Sequence, residues 1–308
     1  MDGPLLPGIY DMPESRYHAD PCPEPSLSSS IARILLTHSP LHAAENHPRL
    51  NPDYEPDESA RFDLGATAHA VLLERDWTKV QVIDPADHTG KNGAIPKGWT
   101  NNSIRAARDE ARAQGLIPVL KEDAEAVQDM VSEALGFISR SEIAGLFDQG
   151  VPEQTFIWQE TVDRTPIWLR ARLDWIGTGG AKGKPWILDY KTCQNAAPDA
   201  FSRQIGAMGY DIQAAFYCRG VRALDDIEQH DFIFLAQEIA PPYACSLHML
   251  SPVYLEMAED KVQRAIDLWA NCIYTKRWPS YPTDVLRADP PPWAYNQYIS
   301  VMTERALG

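Results

Sequence analysis

Ile167-Trp168-Leu169-Arg170-Ala171-Arg172-Leu173-Asp174-Trp175-Ile176 is followed, across a Gly- and Lys-bearing turn, by Trp186-Ile187-Leu188-Asp189-Tyr190-Lys191-Thr192. Both stretches are β-rich and bounded by turn signals. Side chains of an extended chain alternate between faces. Leu169, Ala171, Leu173 and Trp175 therefore share one face of the first strand, and Arg170, Arg172 and Asp174 share the other. On the second strand Asp189 and Lys191 point the same way. If the two strands are neighbours, the hairpin brings two carboxylates and an ammonium together. Such a cluster suits magnesium, a hard cation that prefers oxygen ligands and bridges carboxylates to phosphate. The cation activates water and neutralises phosphate charge, while Lys191 stabilises developing negative charge. A salt-bridged polar strand face is the alternative.

The reading extends outward from this pair. Gln154–Thr161 precedes it as a further strand, and the three are expected to be consecutive and antiparallel. His230–Glu238 and Tyr243–Leu250 are later strands. Helices are expected over Ile31–His38, resuming after Pro40, and over Phe62–Glu74, Ser103–Gln114, Glu122–Ser139, Gly209–Val221 and Pro252–Tyr274. Residues 51–59 and 84–100 read as loops. The expected organisation is an extended segment at 1–25, one domain at 26–280 and a Pro-rich tail at 281–308 that wraps the surface. Within the domain, 26–145 is mainly helical and 146–280 holds the sheet and its flanking helices. The fold class is α/β (α+β).

Composition sets limits. Of the 308 residues, 44% are hydrophobic, enough for a sizeable core. No run of about 18 apolar residues occurs, so no membrane span is expected. No basic-then-apolar leader is seen, and Cys22, Cys193, Cys218, Cys245 and Cys272 form no CxxC pair. The expectation is a reducing cytoplasm with free thiols. The net charge of −15 argues against long-range attraction to nucleic acid. The interval Thr161–Lys191 runs the other way, with six basic residues, among them Lys182 and Lys184 in the turn, against three acids.

Two further constellations accompany the strand pair. His69 stands among small and apolar residues in Leu64-Gly65-Ala66-Thr67-Ala68-His69-Ala70-Val71, either as a site member or as a core histidine. Gln213 and Tyr217 are four apart on one helix face, where an amide and a hydroxyl can bond a phosphate oxygen. The null alternative for the pair is a helix with one polar stripe. A Ser-His-Asp hydrolase finds no GxSxG motif here.

The order G-x-x-x-H, then D, then D-x-K, then Q-x-x-x-Y resembles the RecB-type branch of the PD-(D/E)XK nucleases. SLSSSIARILLTHSP, FDLGATAHAVLLE, the WLRARLDWI/ILDYKT pair, GYDIQAAFY and FIFLAQEIAPPY are similar to RecE-like exodeoxyribonuclease VIII, over roughly Tyr17–Pro279. The resemblance implies a restriction-endonuclease-like core, a central mixed sheet flanked by helices with an N-terminal helical lobe. It implies metal ligation by Asp174, Asp189 and His69, with magnesium replaceable by manganese, and assistance from Lys191. Gln213 would support the site, Tyr217 would touch DNA, and Glu153, or its rival Glu160, would add an acid. Arg170 and Arg172 are either DNA phosphate contacts or partners of the site carboxylates, and Lys182 and Lys184 can reach a DNA backbone. The resemblance further implies digestion of linear duplex DNA from its ends, 5′ to 3′, leaving 3′ strands for a single-strand annealing partner in phage-type recombination, and a ring of subunits. The cysteine spacing does not fit an iron–sulfur cluster. Another nuclease substrate, or a DNA-end-binding module without catalysis, are the other readings.

Overall fold

The computed structural model describes residues 3, 5–55, 64–90, 93–177, 186–224 and 230–307. Its centre is a seven-stranded sheet built on the long hairpin of β5 (Gly150–Val162) and β6 (Thr165–Gly177). β1 (Gly8–Tyr10) lies antiparallel on the outer edge of β5. The inner edge of β6 is shared. β2 (Ser26–Leu27) pairs with Trp168 and Leu169 in parallel, and β7 (Trp186–Cys193) pairs with Trp175–Gly177 antiparallel. Between these two short ladders β6 carries Arg170 to Asp174. Beyond β7 come β8 (Asp231–Glu238), parallel to β7, and β9 (Cys245–His248), antiparallel to β8. The expected antiparallel run β5–β6–β7 is present, and the parallel β7–β8 step makes the sheet mixed.

Helices cover both faces. One layer holds α2 (Ser29–Thr37), α7 (Pro198–Met208), α8 (Tyr210–Leu224) and α9 (Pro252–Thr275). Ile31, Leu35, Phe201, Phe216, Ile266 and Trp269 pack there against Trp158, Leu169, Leu173 and Phe234 of the sheet. The other layer holds α4 (Leu64–Glu74) and α6 (Lys121–Ser139), where Val71, Leu72, Val127 and Met130 meet Trp175, Leu188 and Leu235. Burying such side chains stabilises each layer by about 1.5–3 kcal/mol per residue. Helix starts follow side-chain chemistry. Ser28 accepts the Ile31 amide at the head of α2. Ser39 accepts the His42 amide ahead of a short helix at Pro40–Glu45.

Several elements depart from expectation. Residues 1–25 are not wholly extended, since Glu14–His18 forms a short helix besides β1. Val80–Ile83 and Ile117–Leu120 pair in parallel as a small separate sheet, too short to show a period. α7 went unread although Pro198 at its start and Gly209 at its end, with φ +70°, mark both termini. The tail was expected to wrap the surface, but Pro292–Leu307 is a helix. Proline is allowed in a first turn, and no Gly or Pro follows Pro292 before that helix ends. Trp293 and Tyr298 on it are exposed. Among the described residues no helix is long and apolar enough to cross a membrane.

Candidate active site

The gap on the edge of β6 is where the charged residues gather. Pairing of β6 with β7 runs to Trp175 and Leu188, and the next residues inward are Asp174 and Asp189. There the strands part, and the ladder bond is replaced by a side chain: the Tyr190 amide donates to Asp174 Oδ2 at 2.9 Å. On the far side, Pro152 and Gln154 pair with Trp175 and Leu173, so Glu153 stands opposite Asp174. Glu153 has φ +56°, a left-handed conformation that costs a non-glycine residue free energy.

Two helices converge on these strands, and β7 adds Lys191. From α4, His69 Nε2 lies 2.8 Å from Asp174 Oδ2, and its Nδ1 lies 3.5 Å from Glu153 Oε1. Lys191 Nζ lies 2.6 Å from Asp189 Oδ2. Gln213 of α8 donates to Asp189 Oδ1 at 2.6 Å, and Tyr210 of the same helix sets its ring under the Lys191 ammonium. Asp189 itself is fully buried.

Burial and neighbouring charge separate the two aspartates. Burial pushes Asp189 up, to about 7; Lys191 opposes the rise and the nearby Asp174 charge adds to it. Asp174 feels the same burial, but the His69 charge and hydrogen bond, Lys191 and the Tyr190 amide outweigh it and hold the carboxyl low. His69 loses basicity to burial and regains more from Asp174 and Glu153, ending at about 9. Glu153 is raised by burial and by Asp174, against His69 and Arg172. Burial also lowers Lys191, yet Asp189 and Asp174 raise it further. The cluster thus sets the carboxylates of Asp174, Asp189 and Glu153 against the His69 imidazolium, the Lys191 ammonium and the Arg172 guanidinium.

The donor set fits a hard divalent cation. Asp189 Oδ2 is buried and has no hydrogen-bond donor aligned on it despite the nearby ammonium. Asp174 and Glu153 supply further oxygens, and His69 a nitrogen. As the side chains stand, no three His, Cys, Asp or Glu groups among the described residues converge closely enough to share one ion. His69 is spent on Asp174, and Lys191 on Asp189. Holding a cation therefore means drawing these carboxylates off their present partners.

The other sequence candidates fall in different places. Arg170 is 3% exposed, and its guanidinium donates to the carbonyl and hydroxyl of Ser26 and pairs with Asp20. A phosphate contact is not available to it, because burial removes it from the surface. Arg172 donates to Glu153 at 2.6 Å and to the Met12 carbonyl, so it is a partner of a site carboxylate. Tyr217 is 7% exposed within the α8 layer, where burial raises its phenol well above the usual range and Gln213 bonds it. It supports Gln213 from behind, and a direct DNA contact does not fit that burial. Glu160 pairs with Arg219 and accepts the Trp158 indole, away from the carboxylate cluster. Lys182 and Lys184 lie outside the described residues. Sequence reasoning missed Tyr190, whose amide holds Asp174, and Tyr210 beneath Lys191. Tyr190 lies between Asp189 and Lys191, and Tyr210 three residues before Gln213, but backbone donors and ring contacts leave no mark in a motif.

The fold and the paired strands define a PD-(D/E)XK-type domain, a class read from the D–DxK arrangement on a split sheet edge. The chain belongs to the family described as "PDDEXK-like domain of unknown function (DUF3799)", whose model matches residues 29–288. A crystal structure of a protein named "Putative exonuclease", from Eubacterium rectale, is similar in fold at 14% identity and TM-score 0.52, over 92% of this chain and 97% of that one. A second structure, SSO0001, aligns at 13% identity and TM-score 0.27 over 64% of this chain and 84% of that one, too distant to carry an argument. No curated protein matches the chain.

Proposed function

We propose that the protein is a divalent-metal-dependent nuclease that degrades linear duplex DNA from its ends, in the manner of RecE-like exonucleases. The observation that carries the reading is the convergence of Asp174, Asp189, Lys191, His69 and Glu153 where β6 and β7 part. Magnesium, or manganese in its place, would be held by Asp174 and Asp189 with His69 and Glu153 at hand, and would supply Lewis-acid stabilisation of the phosphate and an activated water. Gln213 fixes the orientation of Asp189 through its amide. Lys191, released from Asp189, holds the attacking water and neutralises charge on the phosphate oxygens. Arg172 fixes Glu153, and Tyr190 fixes Asp174. A 3′ strand left by 5′-to-3′ digestion would suit a single-strand annealing partner, and a ring of subunits would turn the acidic surface outward.

The test is to offer linear duplex, closed circular duplex, nicked circle and RNA with magnesium. Loss of the linear duplex alone supports the reading, and equal digestion of closed circles or RNA sinks it. Lys191→Ala is expected to lower the rate about 10²–10³-fold while metal affinity, measured by calorimetry, holds within a few-fold. A collapse of metal affinity would instead make Lys191 a structural partner of Asp189. His69→Ala separates ligand from core residue. Severe loss of activity at an unchanged melting temperature marks a ligand, whereas a lowered melting temperature with normal specific activity removes His69 from the site.

A further inference from the structure

We infer that the cleft between α2, α8 and α9 is a phosphodiester subsite that grips the nucleic-acid backbone beside the catalytic carboxylates. The inference rests on the nuclease reading and adds a surface to it. The cleft encloses about 380 Å³ and is lined by Arg33, Gly209, Asp211, Lys261 and Arg264, among others. Asp211 is fully buried, and its Oδ2 takes the Lys261 ammonium at 2.6 Å, so those two charges balance each other. The guanidinium groups of Arg33 and Arg264 make no hydrogen bond or ion pair with any described residue; the Arg33 carbonyl accepts the Thr37 hydroxyl. Two uncompensated guanidinium groups in one cleft stand out on a chain of net charge −15.

Arg33 is also held in place. Gly209 has φ +70°, and a Cβ there would sit 2.7 Å from Arg33 Cδ and 2.9 Å from Cγ. The bare glycine lets the arginine stem lie against the backbone. A fixed stem with a free planar fork loses little entropy on binding, and the fork matches phosphate oxygens two at a time. The cleft and the catalytic cluster both take residues from the first turn of α8. Tyr210 underlies Lys191 and Gln213 bonds Asp189, while Asp211 and Ile212 line the cleft. In this proposal a strand with one phosphate at Asp189 continues past the N-terminal end of α8, bringing neighbouring phosphates to Arg33 and Arg264.

The test is fluorescence anisotropy with a labelled 20-base-pair blunt duplex, and with its single strand, across a salt series without divalent metal. Arg33→Gln with Arg264→Gln is compared with Arg16→Gln plus Arg140→Gln, which removes the same charge elsewhere. The cleft pair is expected to weaken binding at least about ten-fold at low salt and to flatten the log–log salt slope by about two, and the control pair by much less. Arg264→Gln alone, at an exposed position that does not threaten folding, should flatten the slope by about one. If the parent cleaves DNA and the cleft variants bind like the control, the cleft is not the subsite and the nuclease reading stands. If the parent neither binds nor cleaves DNA, both readings fall.

Discussion

Asp189→Asn is expected to leave a folded protein that cleaves no DNA above background in magnesium. The side chain is fully buried, keeps its volume on substitution, and retains an oxygen for Gln213. What disappears is the negative charge that a hard cation requires and that now faces Lys191. Calorimetry should show magnesium affinity falling together with activity, while the circular dichroism spectrum matches the parent. Asp174→Asn should behave alike, because Asp174 is the other carboxylate at the parting of the strands. Robust magnesium-dependent cleavage by either folded variant would remove the carboxylate pair from the chemistry.

The largest effect on stability is expected outside that cluster, at Asp20. Its carboxylate accepts the Ser26 amide and hydroxyl and lies 3.3 Å from Arg170 and 3.4 Å from His47, all of them buried. Burial alone would raise its titration; His47, Arg170 and Ser26 overcome that and hold the carboxyl well below the usual range. Asp20→Ala strands a buried guanidinium, at a cost of about 3–5 kcal/mol. For a chain of this size that is a fall on the order of 10 °C in melting temperature. The pH dependence has a definite sign. The unfolded carboxyl binds its proton near pH 4, before the folded one does. Stability from this group is therefore full above about pH 4 and drains away as the pH falls toward the folded value. Thermal melts at pH 7 and pH 3.5 should show a steeper acid loss in the parent than in Asp20→Asn. Parallel losses would assign acid sensitivity to other carboxylates.

The strand pair was legible because a period of two survives in the letters: Asp174, and Asp189 with Lys191, sit where alternation puts them, although Trp175 does not, packing with α4 and α6 while Leu169 and Leu173 pack with the opposite layer. His69 and Gln213 were legible only in combination, each being an ordinary helix residue alone. The roles of the arginines were not legible. Arg170 and Arg172 share a strand face, yet one meets Asp20 and Ser26 and the other meets Glu153. Asp20 and Ser26 lie about 150 residues before Arg170, and a contact across that separation leaves no local trace; Glu153 lies only 19 residues before Arg172, but its approach depends on the register of β5 against β6. The choice between Glu153 and Glu160 was open for the same reason, since it turns on the register of β5 against β6. The free arginines of the cleft were hidden likewise, as Arg33 and Arg264 meet only through the packing of α2 on α9.

The parting of β6 from β7 gives the molecule a built-in reporter. The Tyr190 amide lies in a central strand, yet its acceptor is the Asp174 carboxylate, which the proposed metal would compete for. Its hydrogen-exchange protection is therefore expected to follow the position of Asp174, while the amides of Ile187 and Leu188, inside the ladder, should follow the opening of the sheet. Any ligand that draws Asp174 away should speed exchange at Tyr190 and leave those neighbours slow, so occupancy of the cluster can be followed in solution without a substrate.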